Sequence, residues 1–321
     1  MLPRVETDGE WDAVVPDETI MRPGAEDLCG RLGLAGSPLV RFRDGSQPVY
    51  AVGDEHVLKL FPAAAARDGV AEGRVLAHVQ GRLPVATPSL RESGTYENGW
   101  RYVLMSRLGG ESLAHAWPRI PQADRERLVA EVGEALAVLH ALDPEPLADV
   151  LGPGDWGAFL DRQRDGAVEQ QRGHGLADAW LEQIPDFLAA VPLPREPQRA
   201  LLHTEVMRQH LLVDPDGWRL TGIFDFEPAM IGHRAYDFVG VGLFVTRADR
   251  RLLSRLLASY GTGTGSGTGS GTGIGAGFEP AELLAHTLLH VYSNLAWYLR
   301  ELGAPSDGKL TSLADFWFGR D

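Results

Sequence analysis

Between Leu201 and Glu227 the chain reads LLHTEVMRQHLLVDPDGWRLTGIFDFE, and this stretch concentrates the residue types that phosphoryl transfer uses. Such transfer needs a hydroxyl aligned with a terminal phosphate, positive charge around the phosphates and a carboxylate near the hydroxyl proton. Glu205 and Asp225 supply carboxylates, and His203 and His210 stand on either side of Glu205. Leu211 to Val213 is a short apolar run, Asp214-Pro215-Asp216-Gly217 is turn chemistry, and Trp218 to Phe224 is a second β-prone run. The pattern predicts a hairpin that brings its two flanks together.

The arrangement resembles the catalytic and metal loops of the aminoglycoside phosphotransferases, relatives of the protein kinases. In that family the first loop reads His-Gly-Asp with Asn five residues later, and the second begins Ile-Asp-Phe or similar. His203 and Asp225 match; Thr204 stands where the family has Gly, Glu205 where it has the catalytic Asp, and His210 where it has the metal-binding Asn. The resemblance implies that Glu205 orients the acceptor hydroxyl and takes its proton, that His203 is structural, and that Asp225 holds Mg²⁺. His210 offers nitrogen where Mg²⁺ prefers oxygen. One metal position is therefore expected to be weakened or missing, with an imidazolium supplying charge in its place.

Upstream, Leu39 to Phe42, Val49 to Val52 and Val57 to Phe61 read as strands, the last carrying Lys59. A lone lysine in an apolar strand faces either solvent or a phosphate; the resemblance makes it the phosphate-binding lysine. Ala63 to Gln80 reads as a helix whose Glu72 sits on a face able to meet Lys59, an ion pair that kinases use to aim the lysine. The Gly45-Ser46 turn is neither a Walker A loop nor Gly-x-Gly-x-x-Gly; by resemblance Ser46 belongs to the nucleotide-covering hairpin. An apolar strand from Arg101 runs into Ser106-Arg107-Leu108-Gly109-Gly110 and resembles an interlobe hinge, where backbone groups of Ser106 and Leu108 would bond a purine edge.

Beyond that point the pattern is mainly helical. Leu128, Val132, Leu136 and Leu139 recur at helical spacing, with His140 at the end of their helix. Further helices are expected around Trp156 to Gln171, Leu176 to Ala190, Asp249 to Tyr260 and Glu279 to Arg300, while Pro3, Pro16 and Pro23 should break any long helix before Leu34. Asp161, Asp165, Glu169 and Asp178 offer carboxylates to a substrate subdomain, or are surface charges. After Glu227, His233 departs from the family's Gly-Asp-x-x-x-Asp, whereas Asp237 is kept and is expected to brace the catalytic loop or His203. Residues Gly261 to Gly277, alternating glycine with small polar residues, can bury almost nothing and read as a flexible insertion.

The expected fold is α+β, a bilobal protein-kinase-like chain. It has an N-terminal nucleotide-binding lobe over 1–105, a hinge over 106–110 and a helical C-terminal lobe over 111–321 with the catalytic hairpin and substrate subdomain. A composition with 44% hydrophobic and 23% charged residues fits two globular lobes. The formal charge of −14 disfavours a nucleic-acid partner and suits a cationic small substrate, or solubility alone. One cysteine, Cys29, excludes an internal disulfide framework, and without an apolar leader or membrane-length run the chain reads as cytoplasmic with no membrane partner.

The resemblance therefore implies an ATP- or GTP-dependent kinase of a small-molecule antibiotic, with one Mg²⁺ ion or a weak Mg²⁺ requirement. The pattern is nearest to the hygromycin B phosphotransferases, with capuramycin phosphotransferases as the other candidate. An acidic substrate region would favour a polycationic acceptor, and one lined by Trp156, Trp180 or Trp297 a nucleoside. The alternatives are a metabolic kinase for a sugar, amino alcohol or nucleoside, and a catalytically dead kinase-like binding module.

Overall fold

The strand-forming runs between Leu39 and Ser106 fold into one antiparallel sheet, and the rest of the chain is largely helical. The computed structural model describes residues 2–43, 45–263 and 277–320. The chain divides into two compact units, one made of 1–81, 86–109 and 222–228, the other of 82–85, 110–221 and 229–321.

In the first unit α1 (Asp8–Val14) starts from a capping box in which Thr7 and Glu10 satisfy each other's backbone N–H. Next comes α2 (Glu18–Arg31), capped by the Asp17 side chain. Contrary to the expectation for Pro23, α2 runs through it. Pro23 removes only its own N–H from the ladder, while Met21, Ala25 and Leu28 keep the helix docked on the core. The strands β1 (Leu39–Arg41), β2 (Val49–Val52) and β3 (His56–Phe61) are followed by α3 (Ala66–Val79), β4 (Leu90–Thr95) and β5 (Arg101–Ser106), in sheet order β1-β2-β3-β5-β4.

Leu58, Leu60, Tyr50 and Trp100 form the core with Leu2 and Met21. Alternation along β3 puts Lys59 on the face opposite Leu58 and Leu60. That face is covered too: α3 lies close because position 69 is glycine, where a Cβ would fall 2.8 Å from the Phe61 ring. Residues 222–228 rejoin this unit through the Ile223 N–H, which donates to the Ala86 carbonyl at 3.0 Å. Asp225 therefore belongs with Lys59.

The second unit holds β6 (Glu111–Ser112), α4 (Leu113–Ala116), α5 (Gln122–Ala141), α6 (Trp156–Gly173), α7 (Asp178–Leu181), α8 (Ile184–Ala190), β7 (Ala200–Leu202), β8 (Leu211–Val213) and the start of β9 (Leu220–Ile223). After these come β10 (Met230–Gly232), α9 (Asp237–Gly240), α10 (Arg250–Gly263), α11 (Pro280–Leu288), α12 (Leu295–Leu302) and α13 (Leu310–Phe318). The hairpin appears as β8 and β9 in a sheet ordered β6-β8-β9. Its second strand begins later than expected, because Trp218 is in the turn at φ 47° and its N–H closes on the Asp214 carbonyl at 2.9 Å.

Two long helices of the sequence reading divide. Leu176 to Ala190 becomes α7 and α8, and Glu279 to Arg300 becomes α11 and α12. The second break has a local cause: the Asn294 side chain accepts the Trp297 N–H at 3.0 Å and caps a new helix, leaving Val291 and Tyr292 exposed at the break. Of the Gly261 to Gly277 stretch, Gly261 to Gly263 end α10, and 264–276 lie outside the described residues. No helix among the described residues is long and apolar enough to cross a membrane.

Glycine also sets the packing of α5 on α10. A Cβ on Gly133 would run into the Leu256 carbonyl oxygen. The close approach brings His140, at the end of α5, within 2.9 Å of the Tyr260 hydroxyl on α10.

Candidate active site

In the first unit the Lys59 ammonium is enclosed by carboxylates. It lies 2.9 Å from Glu72 Oε2, 2.7 Å from Asp225 Oδ1 and 2.8 Å from Glu227 Oε2, and its side chain is 7% exposed. Burial pushes the ammonium's pKa down, but Glu72, Asp225 and Glu227 outweigh that and hold it well above its ordinary value. Burial raises the Glu72 carboxyl, against the opposing pull of Lys59. Lys59 is thus a fixed cation, and the acids around it carry more charge than it neutralises.

Glu227 was not singled out from the sequence. Asp225 takes a left-handed φ of 71° and Glu227 follows in a turn, so no strand periodicity announces that both carboxylates meet Lys59. Gln47, equally unforeseen, is buried and donates from Nε2 to Glu227 Oε1 at 3.2 Å. Its neighbour Ser46 is exposed in the β1–β2 connection. At the end of β5 the Ser106 N–H donates to the Ser89 carbonyl at 2.9 Å and its Oγ accepts the Ser89 N–H at 2.8 Å. A purine contact by Ser106 is thereby left to its carbonyl. Leu108 is half-buried just beyond the strand.

The second unit places His203, Thr204 and Glu205 directly after β7, whose register against β10 pairs Leu202 with Met230. Asp237 holds this loop. Its Oδ2 accepts the His203 N–H at 2.9 Å, and its Oδ1 accepts the Thr204 N–H at 2.6 Å. Oδ2 also faces His140 Nε2 at 2.9 Å. Because a carboxylate only accepts, that nitrogen carries the proton. Burial alone would raise the Asp237 carboxyl; its bond to His140, then the charges and N–H of its neighbours, bring it below the usual carboxylate value. The bracing expected of Asp237 is present, with His140 as a further partner.

Thr204 sits at φ 68°. A β-branched residue is an outlier in that region, which glycine enters freely. A glycine at this position would take the same φ without that penalty.

Downstream, His210 closes a tight turn: its Nδ1 lies 2.8 Å from the Glu205 carbonyl. The carbonyl can only accept, so Nδ1 carries a proton and a neutral ring keeps its lone pair on Nε2. The His203 and His210 ring centroids are 6.1 Å apart, with the ring planes inclined by 29°. Beside Glu205 is a pocket walled by Met207, Phe244, Tyr292 and Tyr298, with Thr204 and His290 among its lining. Phe244 belongs to a π-helical turn, Val241–Thr246, that continues α9, and Trp297 stacks on it at 5.7 Å. Burial pushes His290 down to about 4 and keeps it neutral.

These aromatic residues carry no sequence signal beyond helical spacing. Of the tryptophans considered for the substrate region, Trp156 is buried against Phe159 and Tyr236, and Trp180 lies half-buried on α7. Only Trp297 adjoins the pocket wall. Asp161 pairs with Arg195 at 2.6 Å and Glu169 with Arg172, so both are engaged in surface ion pairs.

Residues 39–270 match the APH family, described as the phosphotransferase enzyme family. Among solved structures, the GDP complex of wild-type aminoglycoside 2'-phosphotransferase-IIIa is similar at 18% identity and a TM-score of 0.64, over 92% of this chain and 97% of that one. Macrolide 2'-phosphotransferase MphH from Brachybacterium faecium is similar at 20% identity and a TM-score of 0.60, over 92% and 98%. These likenesses are of fold, the α+β protein-kinase-like fold. Lysine-specific demethylase JMJ21 of Arabidopsis thaliana is 25% identical over 202 residues, 50% of this chain, which spans 21% of that protein's length. Acyl-CoA dehydrogenase family member 11 of Homo sapiens is 24% identical over 164 residues, again with 21% of its length spanned. With the family match running from β1 through most of the second unit, the chain belongs to the phosphotransferase enzyme family.

Proposed function

We propose that the chain is a nucleoside-triphosphate-dependent O-phosphotransferase acting on an antibiotic hydroxyl. The observation that carries this reading is Lys59, buried and held by Glu72, Asp225 and Glu227. A lysine fixed in this way serves as a rigid point charge for phosphate oxygens. Glu205, on the loop braced by Asp237, orients the acceptor hydroxyl and takes its proton; its extra methylene relative to the family's Asp is about one bond length of added reach. On this reading the purine is met by the Ser106 carbonyl and the Leu108 backbone, and the β1–β2 connection with Ser46 covers the nucleotide while Gln47 bonds Glu227.

The acids beside Lys59 fit a magnesium ion. Asp225 and Glu227 offer the hard carboxylate oxygens that Mg²⁺ takes, and three carboxylates against one ammonium leave a formal excess of negative charge. When bound, the ion would neutralise phosphate charge. The chain's own part is to hold Asp225 and Glu227 beside the Lys59 ammonium.

The pocket beside Glu205 supports a reading of the acceptor class. Met207, Phe244, Tyr292 and Tyr298 present apolar and aromatic surface, and among the described residues Glu205 is the only carboxylate in the lining. That wall favours an acceptor with an apolar face, such as a macrolide or a nucleoside antibiotic of the capuramycin type, over a compact polycation such as hygromycin B. Structures of macrolide phosphotransferases are among the similar folds.

The test is phosphate transfer from ATP and from GTP to a panel of macrolide, nucleoside and aminoglycoside antibiotics and simple sugars and amino alcohols, with Glu205→Ala as the control. Transfer to an antibiotic that falls by roughly 10² in Glu205→Ala supports the reading. Turnover only of sugars or amino alcohols makes the chain a metabolic kinase. Nucleotide binding with no transfer to any acceptor makes it a binding module.

A further inference from the structure

Away from the Lys59 cluster, the second unit carries a group of ligand-type side chains that phosphoryl transfer does not use. His233 follows β10 directly, and Glu282 and His286 stand one turn apart on α11. His233 Nδ1 lies 3.4 Å from His286 Nε2 and 3.5 Å from Glu282 Oε1, and one ligand atom from each of the three lies within 4.8 Å of the others. We propose that His233, Glu282 and His286 form a binding site for a divalent transition-metal cation of the zinc class.

The distances separate this reading from plain hydrogen bonding. A good N–H bond spans about 2.9–3.0 Å between heavy atoms, and the His233 to His286 contact is well beyond that. In a tetrahedral zinc site with bonds of about 2.0–2.1 Å, the edge between two ligand atoms is about 3.3–3.4 Å. The observed separations match an edge of such a tetrahedron. The donor set of two imidazoles and one carboxylate suits zinc, cobalt or nickel and not magnesium.

His286 is fully buried on α11, so its Nε2, the atom that faces His233, is held in place at the cluster. Of the charged neighbours, the Arg234 guanidinium works against a cation and the Glu279 carboxylate works for it. His233 and Glu282 keep 13% and 17% of their side chains exposed, so a fourth ligand such as water can reach the ion from the solvent side. A bound ion would tie α11 to the segment that leads from His233 to Asp237, the carboxylate holding the His203–Thr204 loop.

The test uses the full chain after EDTA treatment and dialysis. Zn²⁺ and Co²⁺ are titrated by calorimetry, the thermal midpoint is followed, and the visible spectrum of the Co²⁺ form is recorded. His233→Asn and Glu282→Gln are the main variants, since both side chains are partly exposed and their folding is checked by circular dichroism. The expected result is one equivalent of Zn²⁺ bound, a raised thermal midpoint and intense four-coordinate Co²⁺ bands. Affinity should drop at least about tenfold in each variant, and excess Mg²⁺ should not displace the ion. No stoichiometric Zn²⁺ binding by the parent, or equal Zn²⁺ affinity in parent and both folded variants, overturns the proposal. Neither readout depends on turnover, so the site stands or falls apart from the phosphotransferase reading.

Discussion

Asp237 holds Thr204 in a backbone conformation that glycine ordinarily takes: its Oδ1 accepts the Thr204 N–H at 2.6 Å while Thr204 lies at φ 68°. The left-handed region costs an L-residue about 1–2 kcal/mol, whereas glycine in ordered structure gives up about 0.5–1 kcal/mol relative to alanine. At this position the first effect exceeds the second. Thr204→Gly should therefore be more stable than Thr204→Ala by about 1 kcal/mol, the reverse of their usual order. Urea unfolding of the two variants checks the sign; Ala above Gly would mean that the loop relaxes out of the left-handed region.

The same carboxylate sets an acid limit on the loop. Asp237→Asn puts an NH₂ group where one of the bonded N–H groups or His140 now finds an acceptor, leaving a buried clash of donors that costs about 1–3 kcal/mol. The folded-state pKa of Asp237 is depressed. Its ionised form thus stabilises the fold fully above the unfolded carboxyl's pKa of about 4, and the contribution is lost as pH falls through the lower folded value. Thermal midpoints of parent and variant should differ at neutral pH and converge below about pH 4. A constant gap across that range would assign the loss to packing.

Sequence made the spacing of this loop legible because hairpin turns and His-x-Glu intervals are local. Lys59 and Glu72 were legible as a pair because strand and helix periodicities put each on a definite face. Glu227 and Gln47 were not, since their meeting depends on residues 222–228 rejoining the sheet-bearing unit, a long-range event with no local sign. His140 looked like an ordinary helix-terminal histidine. Its bond to Asp237 depends on how closely Gly133 lets α5 approach α10, which only packing decides. The break between α11 and α12 was hidden by a continuous apolar stripe that the Asn294 cap overrides.

Lys59→Ala tests the charge balance of the first unit. Removing the ammonium leaves Glu72, 1% exposed, and the two neighbouring carboxylates without their shared partner. Breaking a buried pair on one side costs about 3–5 kcal/mol while the remaining group stays charged. Glu72, already raised by burial, should rise further and take up a proton. A raised carboxyl pKa in the folded state favours folding at low pH, so the variant's stability deficit should be larger at pH 8 than at pH 5.5. Kinetically, nucleotide KM should rise and kcat fall, because the lysine would meet phosphates in both the ground and transition states. Parent-like kinetics in the folded variant would remove Lys59 from the site.

His210 is where the catalytic loop departs most from magnesium chemistry. Its Nδ1–H is spent on the Glu205 carbonyl at 2.8 Å, so whatever the ring offers to a ligand comes from Nε2. A protonated ring offers charge there, and a neutral ring offers a nitrogen lone pair. Asparagine in its place can still donate an amide N–H to the Glu205 carbonyl while presenting an oxygen, so His210→Asn should fold normally. If the imidazolium substitutes for a metal ion, the parent should depend weakly on Mg²⁺ and the variant should need it more sharply. If the neutral ring is a ligand instead, the parent should work relatively better with Mn²⁺ or Co²⁺ than the variant does. Turnover of both proteins across Mg²⁺, Mn²⁺ and Co²⁺ concentrations, with EDTA as the zero point, separates these outcomes. Superimposable metal curves would reduce His210 to a brace for the Glu205 turn.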